Sequence, residues 1–320
     1  MKNLITRCMI LVAVVLTPVF GEAADDTKSI LMITWRGLTT AEEGFVEKLG
    51  ELGIDADIDH FDANRDQTEL AGFLRENLDV LKTRDLIYTF GTTVTQTVNN
   101  FDIANVPRVF NIVADPVGVG LVGSLDCPPS GMTGAKMSLS PDENLELFRK
   151  IHPVQTMAIL FDPRENNAVS EADHLTIAAE KLGITPKRLR FAPDADETDL
   201  QLSSLIPQLE GVDALYVTAS SSFIAHSGIL KEIIPDDLVS IGSSTAYIGE
   251  GITLAFGTEY RERGEAAAEL AAKILLDDVP PNKLPIDEID AADAILFVNA
   301  DSKAASTLRL ENATNTVVYK

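Results

Sequence analysis

Residues 86–113 read LIYTFGTTVTQTVNNFDIANVPRVFNIV. Leu86–Phe90 is a short apolar run of strand type, Thr92–Asn100 follows as a helix, and Pro107 introduces a second strand over Arg108–Val113. Strand, helix and strand in that order imply a right-handed crossover between parallel strands, with the helix laid on one face of the sheet. The same rhythm runs outward in both directions. Upstream, a strand over Ser29–Thr34 precedes a helix over Thr39–Leu52, whose apolar positions Phe45, Val46, Leu49 and Leu52 have helical spacing and which Gly53 closes. Ile54–Phe61 alternates as a half-exposed strand, and Asp66 caps a predicted helix running through Lys82.

A Gly/Pro/Ser-rich passage, Cys127–Gly134, interrupts the pattern before it restarts. Helices are expected over Pro141–Ile151, Glu165–Leu182, Thr198–Leu209 and Ser222–Ile234, and strands over Thr156–Phe161, Thr185–Phe191, Ala214–Thr218 and Leu238–Ile241. The expectation is two α/β lobes, each a three-layer Rossmann-like unit. A single barrel would want eight equal units, which the break at Cys127–Gly134 opposes. The tail adds a strand over Ile252–Phe256, an alanine-rich helix over Thr258–Asp277 stopped by Pro280, Pro281 and Pro285, and a last strand over Ile295–Val298. It either extends the second lobe or crosses back to make a hinge of several strands.

The chain has 320 residues, roughly two domains at about 150 residues each. Its net charge of −23 disfavours phosphate backbones and anionic lipid, so no nucleic-acid partner is expected. Lys2 and Arg7 precede an almost continuous apolar run, Cys8–Phe20, and Gly21-Glu22-Ala23 supplies small residues at a cleavage site. These are the parts of a secretory signal peptide over residues 1–23. The run is shorter than a bilayer span and holds Pro18, so the expected product is a periplasmic protein that does not insert in the membrane after cleavage. The mature chain would keep Cys127 alone and form no internal disulfide.

Chemical motifs are few. Gly118–Gly123 matches G-x-G-x-x-G but follows a fourth strand and lacks the acid that a dinucleotide site needs, so it reads as a glycine-rich turn. His60, His152, His174 and His226 are scattered without metal-ligand spacing, and no P-loop or nucleophile elbow occurs. No cofactor, metal or catalytic residue is expected, and an enzyme would need a poised base that the sequence does not offer. The informative residues stand where strands run into helices, the place where open parallel sheets bind ligands. They are Trp35 and Arg36, Thr92 and Thr93, and Asp115 in the first half. In the second half they are Arg164, Glu165, Asn166 and Asn167, then Ser220 and Ser221, then Thr245 and Tyr247. Trp35 offers a stacking surface beside a cation, or is simply a packed ring. Thr92 and Thr93 cap a helix whose free amides a carboxylate would seek.

Several stretches taken together, FGTTVTQ (90–96), VPRVFNIVADPVGVGLV (106–122), Met132-Thr133-Gly134, LFDPRENNAV (160–169) and VDALYVT (212–218), resemble the ABC-transporter substrate-binding proteins of the tryptophan-binding TrpX-like group. The resemblance implies a type I periplasmic-binding-protein fold with two lobes, a three-segment hinge and a ligand held in the cleft. It implies a first lobe of 24–134 and 257–282 and a second of 135–256 and 283–320. It also implies an ABC permease as partner, though a membrane sensor ectodomain that reads the closed form stays open as the alternative. Thr92, Asp115, Glu165 and Asn167 keep positions of the family pattern. Ala168 stands where the family usually has serine, Ser220-Ser221 where it usually has Asp-Asn, and Gly242–Tyr247 lacks its aspartates. An amino acid's ammonium wants a buried carboxylate. The expected ligand is therefore a neutral or anionic small molecule and not a standard α-amino acid.

Overall fold

The computed structural model describes residues 27–319 apart from 104, 127, 129–130, 194–197, 227 and 314. The expected signal peptide and Cys127 lie outside the described residues. The first half contains β1 (Lys28–Thr34), α1 (Thr40–Glu51), β2 (Ala56–Asp62), α2 (Gln67–Glu76), α3 (Leu78–Leu81), β3 (Leu86–Phe90), α4 (Gly91–Asn99), β4 (Arg108–Val113) and β5 (Met132–Lys136). Its five strands are all parallel, in the order β2-β1-β3-β4-β5. β3 and β4 are buried along their whole length, which is why both read as near-continuous apolar runs.

The second half contains α5 (Pro141–Ile151), β6 (Thr156–Phe161), α6 (Asn166–Lys181), β7 (Thr185–Arg190), α7 (Thr198–Leu205), β8 (Ala214–Val217), α8 (Ser221–Ala225), α9 (Gly228–Ile233), β9 (Val239–Gly242) and β10 (Leu254–Gly257). Then come α10 (Tyr260–Leu275), β11 (Ile295–Asn299) and β12 (Thr316–Tyr319). Its sheet runs β12-β11-β10-β9-β8-β6-β7, with β11 antiparallel to β10. Counted from their first strands, β2-β1-β3-β4-β5 and β7-β6-β8-β9-β10 are the same arrangement. Both sheets are open, so the described residues form no barrel.

Each sheet is covered on both faces. One face of the first packs α1 and α10, around Phe45, Tyr88, Ala268 and Ala271; the other packs α2 and α4, around Leu70, Leu74 and Val94. α10 therefore comes back to the first sheet before β11 and β12 complete the second. A Cβ on Gly44 of α1 would lie 2.5 Å from the Arg261 carbonyl, and one on Gly264 would lie 1.9 Å from that of Ala41, so bare glycines let the two helices cross in contact. The second sheet packs α5 and α6 on one face, and α7, α8 and α9 on the other.

Several elements differ from the sequence expectation, among them β12, an exposed strand beyond the one expected to be last. The helix from Asp66 to Lys82 breaks at Asn77, whose side-chain amide donates to the Phe73 carbonyl at 2.9 Å and ends α2. The helix expected over Ser222–Ile234 is two short pieces, α8 and α9. β5 begins inside the passage read as a loop-rich boundary: Met132–Gly134 pairs with β4, where a Cβ on Gly134 would lie 2.2 Å from the Phe110 carbonyl. Among the described residues no helix is long and apolar enough to cross a membrane.

Candidate functional site

In an open parallel sheet, the two strands on either side of a reversal in strand order send their following loops apart and leave a crevice at their carboxyl ends. Those strands are β1 and β3 in the first sheet, and β6 and β8 in the second. The four loops after them meet across one cleft. From the first half come Trp35, Arg36, Phe90, Gly91, Thr92 and Thr93, and from the second Glu165, Asn167, Ala219, Ser220 and Ser221. Ile112, Ala114, Met137, Ile224, Ser244 and Tyr260 complete a cavity of about 530 Å³, part of it open to solvent.

The first-half wall is aromatic and electropositive. The Arg36 guanidinium stands 5.3 Å from the centroid of the Phe90 ring and donates to the Tyr260 hydroxyl at 3.2 Å. Trp35 is partly buried against the core and lines the same space. α4 starts here without a side-chain cap: Phe90 occupies the N-cap, and Gly91 takes a φ of 81° to turn the strand into the helix. By contrast Thr39, Asp66 and Ser140 cap α1, α2 and α5. The first turn of α4 thus lines the cleft with no side-chain acceptor on its amides, a favourable place for negative charge.

The second-half wall is polar, and its groups are already partnered. Glu165 caps no amide of its own helix; it reaches α8, accepting from Ser220 Oγ at 2.6 Å, from the Ser221 amide at 2.9 Å and from the Ser222 amide at 2.9 Å. Ser220 is the N-cap of α8 and accepts from the Phe223 amide at 3.2 Å. The Asn167 amide donates to the Ala219 carbonyl at 2.6 Å. Behind this loop lies Glu171, buried on α6, whose carboxylate accepts from the Ala219 amide at 2.7 Å and the Tyr216 hydroxyl at 3.2 Å. Burial pushes its carboxyl up to about 7 against the pull of those two bonds. Asp162, also buried, receives Arg164 through Nε at 2.9 Å and Ser222 Oγ at 2.6 Å. Burial raises its carboxyl, but the bonds from Arg164 and Ser222, with the charge of Arg164, outweigh burial and hold it below the ordinary range.

Of the residues selected from the sequence, Trp35, Arg36, Thr92, Thr93, Glu165, Asn167, Ser220 and Ser221 come together in the cleft. Arg164 and Asn166 lie at its outer mouth with Arg65 and His226. Three residues stand elsewhere. Asp115 turns toward α6, accepting from Ser170 Oγ at 3.2 Å and pairing with His174 Nδ1 at 2.9 Å beside a different hollow. Tyr247 is fully buried, and its hydroxyl accepts from the Ser220 amide and donates to the Thr218 carbonyl, both at 2.9 Å, so it supports the loop from behind. Thr245 lies outside the cleft lining, and Ser244 takes that place. Phe90, Ile112 and Tyr260 were missed. Tyr260 comes from α10, and only the return of that helix to the first sheet brings it to Arg36. Gly118–Gly123 is an irregular turn in which the Gly118 amide donates to Asp115 at 2.8 Å.

The chain matches the family model described as ABC transporter substrate binding protein over residues 30–315. It is 26% identical over 285 residues to the tyrosine-binding protein of Clostridioides difficile strain R20291, covering 87% of this chain and 79% of that one. Among solved structures, an ABC domain in complex with L-Trp from Streptococcus pneumoniae superposes with a TM-score of 0.74 at 19% identity, over 90% of this chain and all of that one. The ligand-free, open structure of a Clostridium difficile substrate-binding protein with adhesive properties gives 0.70 at 24% identity, over 92% of this chain and all of that one. Twin open sheets of this order are the type I periplasmic-binding-protein fold. With the match running from β1 almost to β12, the chain belongs to the ABC transporter substrate-binding protein family.

Proposed function

We propose that this protein delivers a solute to an ABC importer, closing its two halves over a small carboxylate that has a planar apolar body and no α-ammonium group. The carrying observation is an imbalance of charge partners in the cleft. The uncapped start of α4 and the Arg36 guanidinium offer an anion two kinds of strong donor. Glu165, the one carboxylate lining the cleft among the described residues, already holds three donors from residues 220–222. Asp115, the other acid of the family pattern, lies on a different hollow. An ammonium enclosed here would lose water and meet only a carboxylate whose acceptor sites are mostly taken by those three donors, which is costly. Trp35, Phe90 and Tyr260 suit a flat ring.

The geometry supports closure. The α4 amides and Arg36 belong to one half and the 165–167 and 219–221 loops to the other, so a ligand that touches both favours the state in which they are near. The chain passes between the sheets three times, after β5, after β10 and after α10, and these passages would form the hinge. Export by the predicted signal peptide would place the protein in the periplasm, where a permease reads the closed form.

Relatives that bind tyrosine or were solved with L-Trp make a matched pair the sharpest test. In titration calorimetry, 3-(4-hydroxyphenyl)propionate is expected to bind at least about tenfold more tightly than L-tyrosine, a difference of about 1.4 kcal/mol. Tighter binding of L-tyrosine would overturn the reading.

A further inference from the structure

Ile112 in β4 has a φ of 56°, in the left-handed region where a β-branched side chain is a true outlier. It is the extra residue of a bulge, since Asn111 pairs with Ala135 and Val113 with Lys136 while Ile112 is left between them. Glycine is the residue that ordinarily takes this conformation in a bulge. The bulge changes which way the strand's side chains face. Val109 packs with α1 and α10, and Phe110 on the opposite side of the sheet. Strict alternation would return Ile112 to the side of Phe110. Instead Ile112 stays in the cluster of Val109, Val113 joins that of Phe110, and Ile112 lines the cleft together with Phe90 and Tyr260.

A buried chain of polar groups holds this arrangement. Asn111 Oδ1 accepts from the Ile112 amide at 2.9 Å, and Asn111 Nδ2 donates to the Tyr88 hydroxyl at 3.0 Å. Tyr88 in turn donates to Glu42 at 2.6 Å, and the other Glu42 oxygen is fixed by the Thr39 amide and hydroxyl at the start of α1. Backbone held against its preference persists only where the surroundings over-determine it, and such places cluster at ligand sites. We propose that Asn111 clamps Ile112 into the left-handed bulge so that its side chain forms the wall limiting the width of ligand the cleft accepts. Ile112 is then a specificity residue and Asn111 a positioning residue acting through it. The inference rests on the cleft being the ligand site.

Two measurements test it. By calorimetry on the full chain, Ile112→Ala should shift the ratio of dissociation constants for 3-phenylpropionate and 3-(indol-3-yl)propionate by about tenfold or more toward the indole, the discrimination a few methyl groups give in an apolar pocket. Without any ligand, I112G should melt above I112A, reversing the order these residues have in an ordinary strand. An unchanged ratio, or I112G melting below I112A, overturns the proposal. Failure of the ligand class reads differently. The wild type then binds neither acid, and the melting order alone decides whether residue 112 is held against its backbone preference.

Discussion

Replacing Glu171 by glutamine should remove a dependence of stability on pH that this one side chain imposes. The carboxyl lies beneath the loop that forms the second-half wall of the cleft, and it titrates near 7 in the folded chain against an ordinary 4.5. Burial is the dominant cause, opposed by the donors Ala219 and Tyr216 and aided by the charge of Asp115. Between about pH 4.5 and about pH 7 the folded chain keeps a proton that the unfolded chain has lost. Stability from this group is therefore fully present below about 4.5, falls as pH rises through that window, and is flat above it. Each pH unit of displacement is worth about 1.4 kcal/mol, so the loss amounts to about 3 kcal/mol. The side chain is buried, which leaves little solvent to screen it. Glutamine keeps the size and an acceptor for the Ala219 amide but never ionises. In urea unfolding followed by far-UV circular dichroism, wild type and E171Q should be nearly equal at about pH 5. By about pH 8 the variant should be more stable by about 3 kcal/mol. A difference that stays constant across that range, or wild type gaining on the variant as pH rises, would refute the reasoning.

Arg36→Ala should weaken binding of 3-(4-hydroxyphenyl)propionate by roughly tenfold to a hundredfold in calorimetry, the worth of one charged hydrogen bond to a carboxylate, and unchanged affinity would remove Arg36 from the anion site. Glu165→Ala should lower urea stability by about 1–3 kcal/mol, because three donors at the start of α8 lose their acceptor, and no loss would mean that water replaces the carboxylate freely. Trp35 is the chain's one tryptophan, so saturating 3-(4-hydroxyphenyl)propionate should shift its emission, whereas an indifferent spectrum would place the probe away from it.

The sequence carries the alternation of strands and helices because parallel strands buried on both faces are written as apolar runs, as in Leu86–Phe90 and Arg108–Val113. It also carries the loops at the reversals of strand order, since a strand's end, a turn residue and polar side chains follow one another there; Trp35-Arg36 and Gly91–Thr93 are examples. What it hides depends on contacts between distant segments. Asp115 follows a strand like the others, but β4 lies one place beyond the reversal, and only the packing of α6 decides that Ser170 and His174 take its carboxylate. Tyr260 is 224 residues from its partner Arg36. β5 was obscured because Met132–Lys136 pairs through a glycine that accommodates the neighbouring backbone, in place of a β-branched run. β12 is exposed throughout, so no buried face writes a period into Thr316–Tyr319. The bulge at Ile112 leaves no trace in the letters, since the residue there is an ordinary strand former.

Diffraction from crystals grown with 3-(4-hydroxyphenyl)propionate would locate the carboxylate and the ring. Density is expected between the two halves, with the carboxylate on the first amides of α4 and beside Arg36, and the ring among Trp35, Phe90 and Tyr260. A probe bound outside this cleft, or bound within it with its carboxylate turned toward Glu165 and away from Arg36, would contradict the account.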